Sequence, residues 1–363
     1  MSGFLSVWLK SRLFKTPDRR VLHDPTLRNI TVFLSLAAVL LLGGCHGRSV
    51  APANGVPTDS VATVYLVRDI SPQSLVSIYQ ALGVEPTGRV AVKISTGESG
   101  KSNYLRPELI GDLVHLVKGT IVECNCAYWG NRDNSEEHWA QIRERGFLDI
   151  ADVDIMDAEG EMRLPVRDSS HLPYNLVGSH LANYDFIINL AHFKGHPMAG
   201  YGGAIKNQSI GVSSANGKML IHTAGRKADA DHKLSGWSTA VAATPQDAFL
   251  ESMAAAAQSV ADYFEGRIVY INVMNNLSVD CDCIANPKEP QMQDVGILAS
   301  TDPVALDQAC LDIVFSTPVT DTNNPQPLIK RINKKHGTHT VDYAAQIGLG
   351  TQRYRIEELK IKN

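Results

Sequence analysis

Residues 90–124 restrict the fold more than any other part of the chain. Residues 90–94 and 120–124 are short apolar runs rich in β-branched side chains. Between them, residues 107–118 begin with Pro107, place Leu109, Leu113 and Leu116 for one face, and stop at Gly119. A proline start and a glycine stop mark a helix. Strand, helix, strand at this spacing predicts a parallel sheet with helices on its faces. A strand-like run at 61–67 precedes this unit, and residues 134–145 read as a second helix closed by Gly146. The theme continues downstream. Thr244-Pro245-Gln246-Asp247 is close to a capping box, followed by a helical face of Phe249, Met253, Ala256, Val260 and Phe264. Residues 268–273 and 295–299 read as strands. Asp302-Pro303 opens a helix with the stripe Leu306, Cys310, Ile313 and Val314, and 328–363 reads as two helices and a last strand near 354–359. The expected fold is α/β: two domains, 61–177 and 178–363, with mostly parallel sheets and an interdomain cleft.

The first 60 residues differ in kind. Lys10, Arg12, Lys15, Arg19, Arg20 and Arg28 precede an apolar run at 30–42, too short to span a bilayer but suited to a signal-peptide core. The run ends Leu42-Gly43-Gly44-Cys45, which resembles a bacterial lipoprotein box. Residues 1–45 are therefore expected to be a signal and lipoprotein segment with Cys45 as the lipidated residue, anchored in a membrane of the cell envelope. Residues 46–60 would be a tether. The formal net charge is -4, and no basic footprint of a nucleic-acid binder is visible.

The densest chemistry lies at 185–222. The apolar run Phe186-Ile187-Ile188-Asn189-Leu190-Ala191 has the length and content of a buried parallel strand. His192, Lys194 and His196 follow within five positions, then a turn with Gly200, Gly202 and Gly203, then Lys206, Asn207, Lys218 and His222. Ligands of open α/β sheets gather at the carboxyl ends of strands, and glycines let backbone approach them. Lys206 in such a turn would clamp an anion or act as a nucleophile. His196 is a candidate acid/base. His222, after a possible strand, is a candidate metal ligand, and His192 could join it. Asn207 and Asn125 are candidate orienting amides. The glycine-containing loop 95–100, just past a strand, could cradle an anion on its backbone N–H groups.

There are six cysteines. Cys310 sits on an apolar helical stripe and is expected in the core. Cys124/Cys126 and Cys281/Cys283 are two Cys-x-Cys pairs, each able to aim two thiols at one spot, since alternate residues of extended chain point the same way. Disulfides between the two loops, a zinc ion or iron–sulfur cluster on four thiolates, and free thiols all remain open. Asp280 and Asp282 interleave with the second pair as hard ligands or turn residues.

The phrases VAVKISTGESG, GTIVECN, HFKGHPMAGYGGAIKN, INVMNNLSVDCDC and DVGILASTDPVALDQAC resemble the bacterial domain-of-unknown-function family 362 over about residues 61–350. Its longer members are called uncharacterised iron–sulfur centre proteins and carry Cys-x-x-Cys-x-x-Cys runs, which this chain lacks. HPMAGYGGAIK is also similar to the lactate racemase segment that holds a nickel-pincer cofactor. That resemblance implies Lys206 as the covalent attachment point, His222 as the nickel ligand and His196 as the histidine before the glycine-rich turn, with Gly202, Gly203 and Asn207 around the cofactor. STGESGKSNYLRP and NCAYWGNRDNSEEH resemble two further loops of that family and imply Arg106 and Arg132 as substrate-holding groups. The racemases carry an acid/base histidine in the second loop. Trp129, Gly130 and Asn131 stand there instead.

The expectation is a cleft that binds a metal or organometallic cofactor (nickel-type or zinc) and acts on a small anionic organic substrate by proton or hydride transfer. Two other classes remain open: a redox protein using the Cys-x-Cys thiols, with or without a 4Fe-4S cluster, and a non-catalytic binding lipoprotein.

Overall fold

The computed structural model describes residues 61–229 and 234–360, so Cys45, the signal segment and the tether lie outside the described residues. In chain order the elements are β1 (Ala62–Val67), α1 (Pro72–Ala81), β2 (Val90–Lys93), α2 (Pro107–Val117), β3 (Thr120–Glu123), α3 (Ser135–Glu144), β4 (Val153–Ile155), β5 (Glu161–Leu164), β6 (Asn175–Gly178) and β7 (Phe186–His192). They continue as β8 (Lys194–His196), β9 (Gly200–Gly202), α4 (Ala204–Ser209), α5 (Ala215–His222), α6 (Leu234–Ala242), α7 (Gln246–Phe264) and β10 (Ile268–Met274). The chain then forms β11 (Gly296–Ser300), α8 (Pro303–Ser316), α9 (Gln326–Lys334), α10 (His339–Gln346) and β12 (Tyr354–Glu358).

Eight strands form one sheet in the order β12-β1-β11-β10-β7-β2-β3-β4. Only β11 runs antiparallel to its neighbours, β1 and β10; the other pairings are parallel. Every residue of β7 and β10 is buried, as expected of parallel strands covered on both faces. One face packs on α1 and α2 through Leu75, Ile78, Ile110 and Leu113. The other packs on α7 and α8 through Ala254, Val260, Leu306 and Cys310.

The predicted α/β class and the largely parallel sheet are what the structure contains. The split expected between residues 177 and 178 is not confirmed. β2 pairs with β7 and β1 with β11, so both segments supply strands to one sheet, and the described residues fall within a single compact unit, 52–363. A buried apolar strand such as β7 reads the same at the edge of a new sheet or at the middle of an old one.

Strand order creates the site. The chain lays down β2, β3 and β4 in one direction, then returns to place β7 and β10 on the other side of β2. The carboxyl ends of β2 and β7 therefore flank the point where winding reverses, where ligands of open α/β sheets bind. Just past β7, β8 and β9 form an antiparallel hairpin. Gly200 takes φ +83° there, and a Cβ would meet the Cα of Gly337 at 2.9 Å.

Two local expectations are corrected. Lys206 lies on α4 rather than in a turn, and His222 ends α5 rather than a strand. α4 starts because the buried carboxylate of Asp307 accepts from the N–H groups of Ala204 (2.8 Å) and Ile205 (3.1 Å). α5 starts because Ser214 Oγ accepts from Gly217 N–H at 3.0 Å. Both caps occupy N–H groups that a helix leaves open.

Candidate functional site

A cavity of about 250 Å³ opens at the reversal point. Its walls come from the ends of β2 and β3, the β7–β9 hairpin, α4, α5 and the 281–284 loop. His192, His196, Gly202, Gly203, Lys206, Asn207, His222, Arg132, Cys126, Cys281 and Cys283 all line it, so most of the predicted site residues converge. Arg106 and Cys124 do not line it.

One wall is a charge-paired network. Lys93, the last residue of β2, is 1% exposed; it donates to Glu123 (3.2 Å), Asn207 Oδ1 (3.1 Å) and the Ile94 carbonyl. Glu123 also accepts from Thr96 N–H (2.6 Å) and from Arg132 (3.2 Å). Burial alone would raise the Glu123 carboxyl, but Lys93 and Arg132 outweigh it and hold the group at about 2. Asn207 spends Nδ2 on the Lys93 carbonyl (3.0 Å) and Asn189 Oδ1 (2.7 Å), so it ties α4 to the sheet and does not orient a ligand. Asn125 likewise bonds Ser135 and faces His138. Three N–H groups of the 95–100 cradle are also spent. Thr96 N–H goes to Glu123, Glu98 N–H to the Asp282 carbonyl (2.7 Å) and Ser99 N–H to Glu98 Oε1 (3.2 Å).

A second charge-paired network centres on Asp282. Its carboxylate accepts from His192 (2.7 Å) and Lys194 (2.6 Å). Burial would raise this carboxyl, but the Lys194 ammonium and His192 pull it well below the usual range. The other ring nitrogen of His192 faces the Asn275 carbonyl at 2.6 Å. Both ring nitrogens are thus engaged by protein oxygens, which corrects its reading as a metal ligand. Asp280 is a turn residue: it accepts from Lys288 N–H at 3.1 Å.

The opposite wall is left open. Lys206 Nζ makes no hydrogen bond or ion pair among the described residues. Burial, then the nearby Lys194, lower its ammonium from 10.5 to about 7. His222 donates from Nδ1 to the Lys218 carbonyl at 2.6 Å, so Nε2 keeps its lone pair. Its ring is wedged between Trp237 and Phe249, both with centroids at 4.8 Å, and burial lowers it to about 3. A backbone carbonyl on one nitrogen with the other free is how metal-ligating histidines are oriented. His196 accepts at Nδ1 from Met198 N–H (3.2 Å) and Ala199 N–H (3.0 Å), which leaves the proton on Nε2. Burial and the Lys206 charge hold it well below its ordinary value.

Arg106 is exposed; it stacks on Tyr104 at 3.9 Å, while Arg145 covers the same ring at 4.0 Å. Tyr104, two residues upstream, captures the guanidinium that the loop reading assigned to substrate. Arg132 does reach the pocket, but Glu123 (3.2 Å) and Glu98 (3.7 Å) neutralise it. Trp129, at the racemase-like histidine position, is 73% exposed. His138 is buried between Thr96 and Asn125 and does not replace it.

The four Cys-x-Cys thiols do not form one donor set. Cys281 and Cys283 are joined to each other as a disulfide, not across the two loops, and Cys124, Cys126 and Cys310 are free. The Cys124 thiol faces the Val212 carbonyl at 3.4 Å, and burial pushes it up. Among the described residues, His196, Cys281 and Cys283 bring ligand-type atoms within 4.8 Å of one another, but the disulfide engages both sulfurs.

Residue type alone singles out neither Lys93 nor Glu123, and it reads Asp282 as a hard ligand or turn residue rather than as the carboxylate that pairs with His192 and Lys194. A charged residue closing an otherwise apolar strand, as in VAVK and TIVE, was the available signal for the first two.

Together these features define an α/β protein with a cavity, lined by several charged and imidazole side chains, at the carboxyl edge of a mostly parallel sheet. The family described as "Domain of unknown function (DUF362)" matches residues 90–312, more than half of the chain, and the chain belongs to that family. Among solved structures, the lactate racemase apoprotein from Thermoanaerobacterium thermosaccharolyticum is similar at 11% identity and a TM-score of 0.41, over 71% of this chain and 58% of that one. This chain thus spans little more than half of that protein's length. No curated protein matches the sequence.

Proposed function

We propose that the pocket binds a metal or metal-bearing cofactor through Lys206 and His222 and acts on a small anionic organic substrate by proton or hydride transfer. The observation that carries this is the contrast inside one cavity: every carboxylate is paired, while the Lys206 amine and the His222 Nε2 lone pair are not. Lys206 is half-buried and His222 buried, and two polar groups left without a protein partner on one cavity are free to meet a guest. An amine near 7 is a nucleophile at neutral pH, and a neutral imidazole with a fixed tautomer is a metal ligand. The residues therefore fit a nickel-type cofactor or a zinc ion. When bound, such a group would supply an electron-pair acceptor beside the substrate.

The chain's own groups set the rest. Lys93, Arg132, Lys194, Lys206 and Lys218 line the cavity against Glu123 and Asp282, which favours an anionic substrate. His196 would present its Nε2–H as a hydrogen-bond donor rather than act as a base. Racemisation needs a proton acceptor on each face of the substrate. With Trp129, Gly130 and Asn131 in the second loop, chemistry on one face is the better fit. The N-terminal sequence supports a membrane-anchored envelope location with a lipid on Cys45, which intact mass of membrane-extracted protein would reveal.

Incubating the purified full chain with Ni(II) or Zn(II), followed by elemental analysis and intact mass, tests the reading. Stoichiometric metal lost in His222→Ala, or a mass adduct lost in Lys206→Ala, supports it. Native protein with neither metal nor adduct, and no uptake of either ion, overturns it.

A further inference from the structure

The cofactor reading leaves the Cys281–Cys283 pair unused. The disulfide lines the cavity. Each sulfur lies within 4.8 Å of the other and of a ring nitrogen of His196. Cys281 is buried and Cys283 only partly so, giving an incoming reagent one accessible sulfur. Accessible disulfides are the labile ones, whereas structural disulfides resist reduction.

The loop does not need the S–S bond to keep its place. Asp282, between the two cysteines, is held through its carboxylate by His192 and Lys194. Its carbonyl accepts from Ser102 Oγ and Glu98 N–H, both at 2.7 Å. Ile284 N–H returns to the Cys281 carbonyl at 3.0 Å. The His196 strand is locked to the same loop by Gly195 N–H to the Ser278 carbonyl at 2.8 Å. A Cβ at Gly195 would lie 2.5 Å from the Val279 carbonyl oxygen, so the two backbones touch. A bridge across a single residue also closes a very small loop and adds little chain-entropy stabilisation. The pair is poorly suited to a staple and well placed for chemistry.

We propose that Cys281 and Cys283 form a reversible two-electron dithiol–disulfide centre inside the pocket, reduced by a small dithiol, with the Nε2–H of His196 donating to the sulfur that leaves. In the first step a thiolate of the dithiol attacks Cys283 Sγ. A mixed disulfide forms, the Cys281–Cys283 bond breaks, and Cys281 leaves as a thiolate that takes its proton from water. In the second step the remaining thiolate of the reagent attacks its own sulfur in the mixed disulfide. A cyclic disulfide departs and Cys283 is released and protonated. Two electrons pass from dithiol to protein, and the two protons lost by the dithiol balance those gained by the cysteines. This inference stands apart from the cofactor reading, because its readout needs no metal and does not involve Lys206 or His222.

The test uses the full chain, folded and air-oxidised. N-ethylmaleimide is added before and after equilibration with graded ratios of reduced to oxidised dithiothreitol, and labelled cysteines are mapped by peptide mass. The expected result is no label on Cys281 or Cys283 before reduction, label on both after native reduction, and full protection after reoxidation. His196→Leu should slow native reduction by roughly tenfold, the worth of one hydrogen bond to a charged group. His196→Gln, which keeps an N–H donor, should recover most of the rate, and both variants should match wild type in denaturant. Label without reductant, reduction only after denaturation, or pairing with Cys124 or Cys126 would overturn the proposal. An unchanged rate in His196→Leu would remove the histidine from it.

Discussion

The two walls of the pocket hold similar residues in opposite conditions. On the β2–β3 wall, Lys93, Arg132 and Glu123 are buried and compensate one another. On the α4–α5 wall, Lys206 is half-buried and His222 buried, and neither makes an ion pair with a carboxylate among the described residues. A buried charge with a partner is weak support for function, because its removal is punished by the fold itself. A buried amine without one has a cost that the fold does not recover, and such sites cluster where a ligand binds. The same residue type, lysine, thus serves as scaffold at 93 and as site at 206.

The largest expected effect belongs to the charge-paired wall. Glu123→Gln leaves Lys93 buried without a counter-charge and Arg132 with Glu98 alone at 3.7 Å, and breaking a buried pair in this way costs about 3–5 kcal/mol. Chemical denaturation measures it. A loss below about 1 kcal/mol, the scale of an exposed pair, would mean that the wall is solvated and the contrast false.

Next in size is the joint between the walls. A Cβ on Gly203 would lie 2.5 Å from Asp307 Oδ1, the carboxylate that caps α4. Gly203→Ala should cost about 1–3 kcal/mol as an overpacked core change and should move α4 with Lys206 on it. Metal or adduct uptake should fall with stability. Uptake that survives unchanged would show that α4 does not set the position of the amine.

What the sequence made legible follows from how each signal is carried. Pro107 and Gly119, Asp302 and Pro303, and the apolar run of β7 are local, and each marks an element of the structure. The convergence of His196, Lys206 and His222 was also legible, because all three follow one strand end within a short span of chain. Partnerships across the sheet were not. Nothing near Arg106 announces that Tyr104 will hold its guanidinium, nothing near His192 announces Asp282 ninety residues later, and nothing in HPMAGYGGAIK announces that Asp307 starts a helix under Lys206. The Thr244 cap failed for the same reason: its hydroxyl donates back to the Ala240 carbonyl at 3.1 Å, and Pro245 takes the cap position of α7. The single sheet escaped the sequence because pairing of β2 with β7 is a long-range choice that neither strand encodes alone.

The open wall makes a smaller prediction with a definite sign. The Lys206 ammonium sits at about 7 in the folded protein against 10.5 ordinarily. Between those values the unfolded chain binds the extra proton, so stability rises with pH across that window. Lys206→Met should flatten the rise, raise stability at pH 7 because the cost of holding the amine out of water is gone, and abolish cofactor or adduct formation. Denaturation series at pH 7 and pH 9.5 on both proteins read it. A steep rise that persists in the variant would assign the titration to another group.

The smallest effect is expected at Arg106. Its guanidinium lies over the Tyr104 ring, donates to the Ser102 carbonyl at 3.2 Å and stays outside the cavity. Arg106→Ala should therefore change stability by no more than about 0.5 kcal/mol, as an exposed substitution does, because Arg145 still covers the ring. It should leave metal uptake and any Lys206 adduct as they are. If the variant instead loses anion binding while the fold is intact, the loop at 102–106 must swing inward when a ligand arrives. The cationic side of the pocket would then include a residue that the ligand-free geometry turns away.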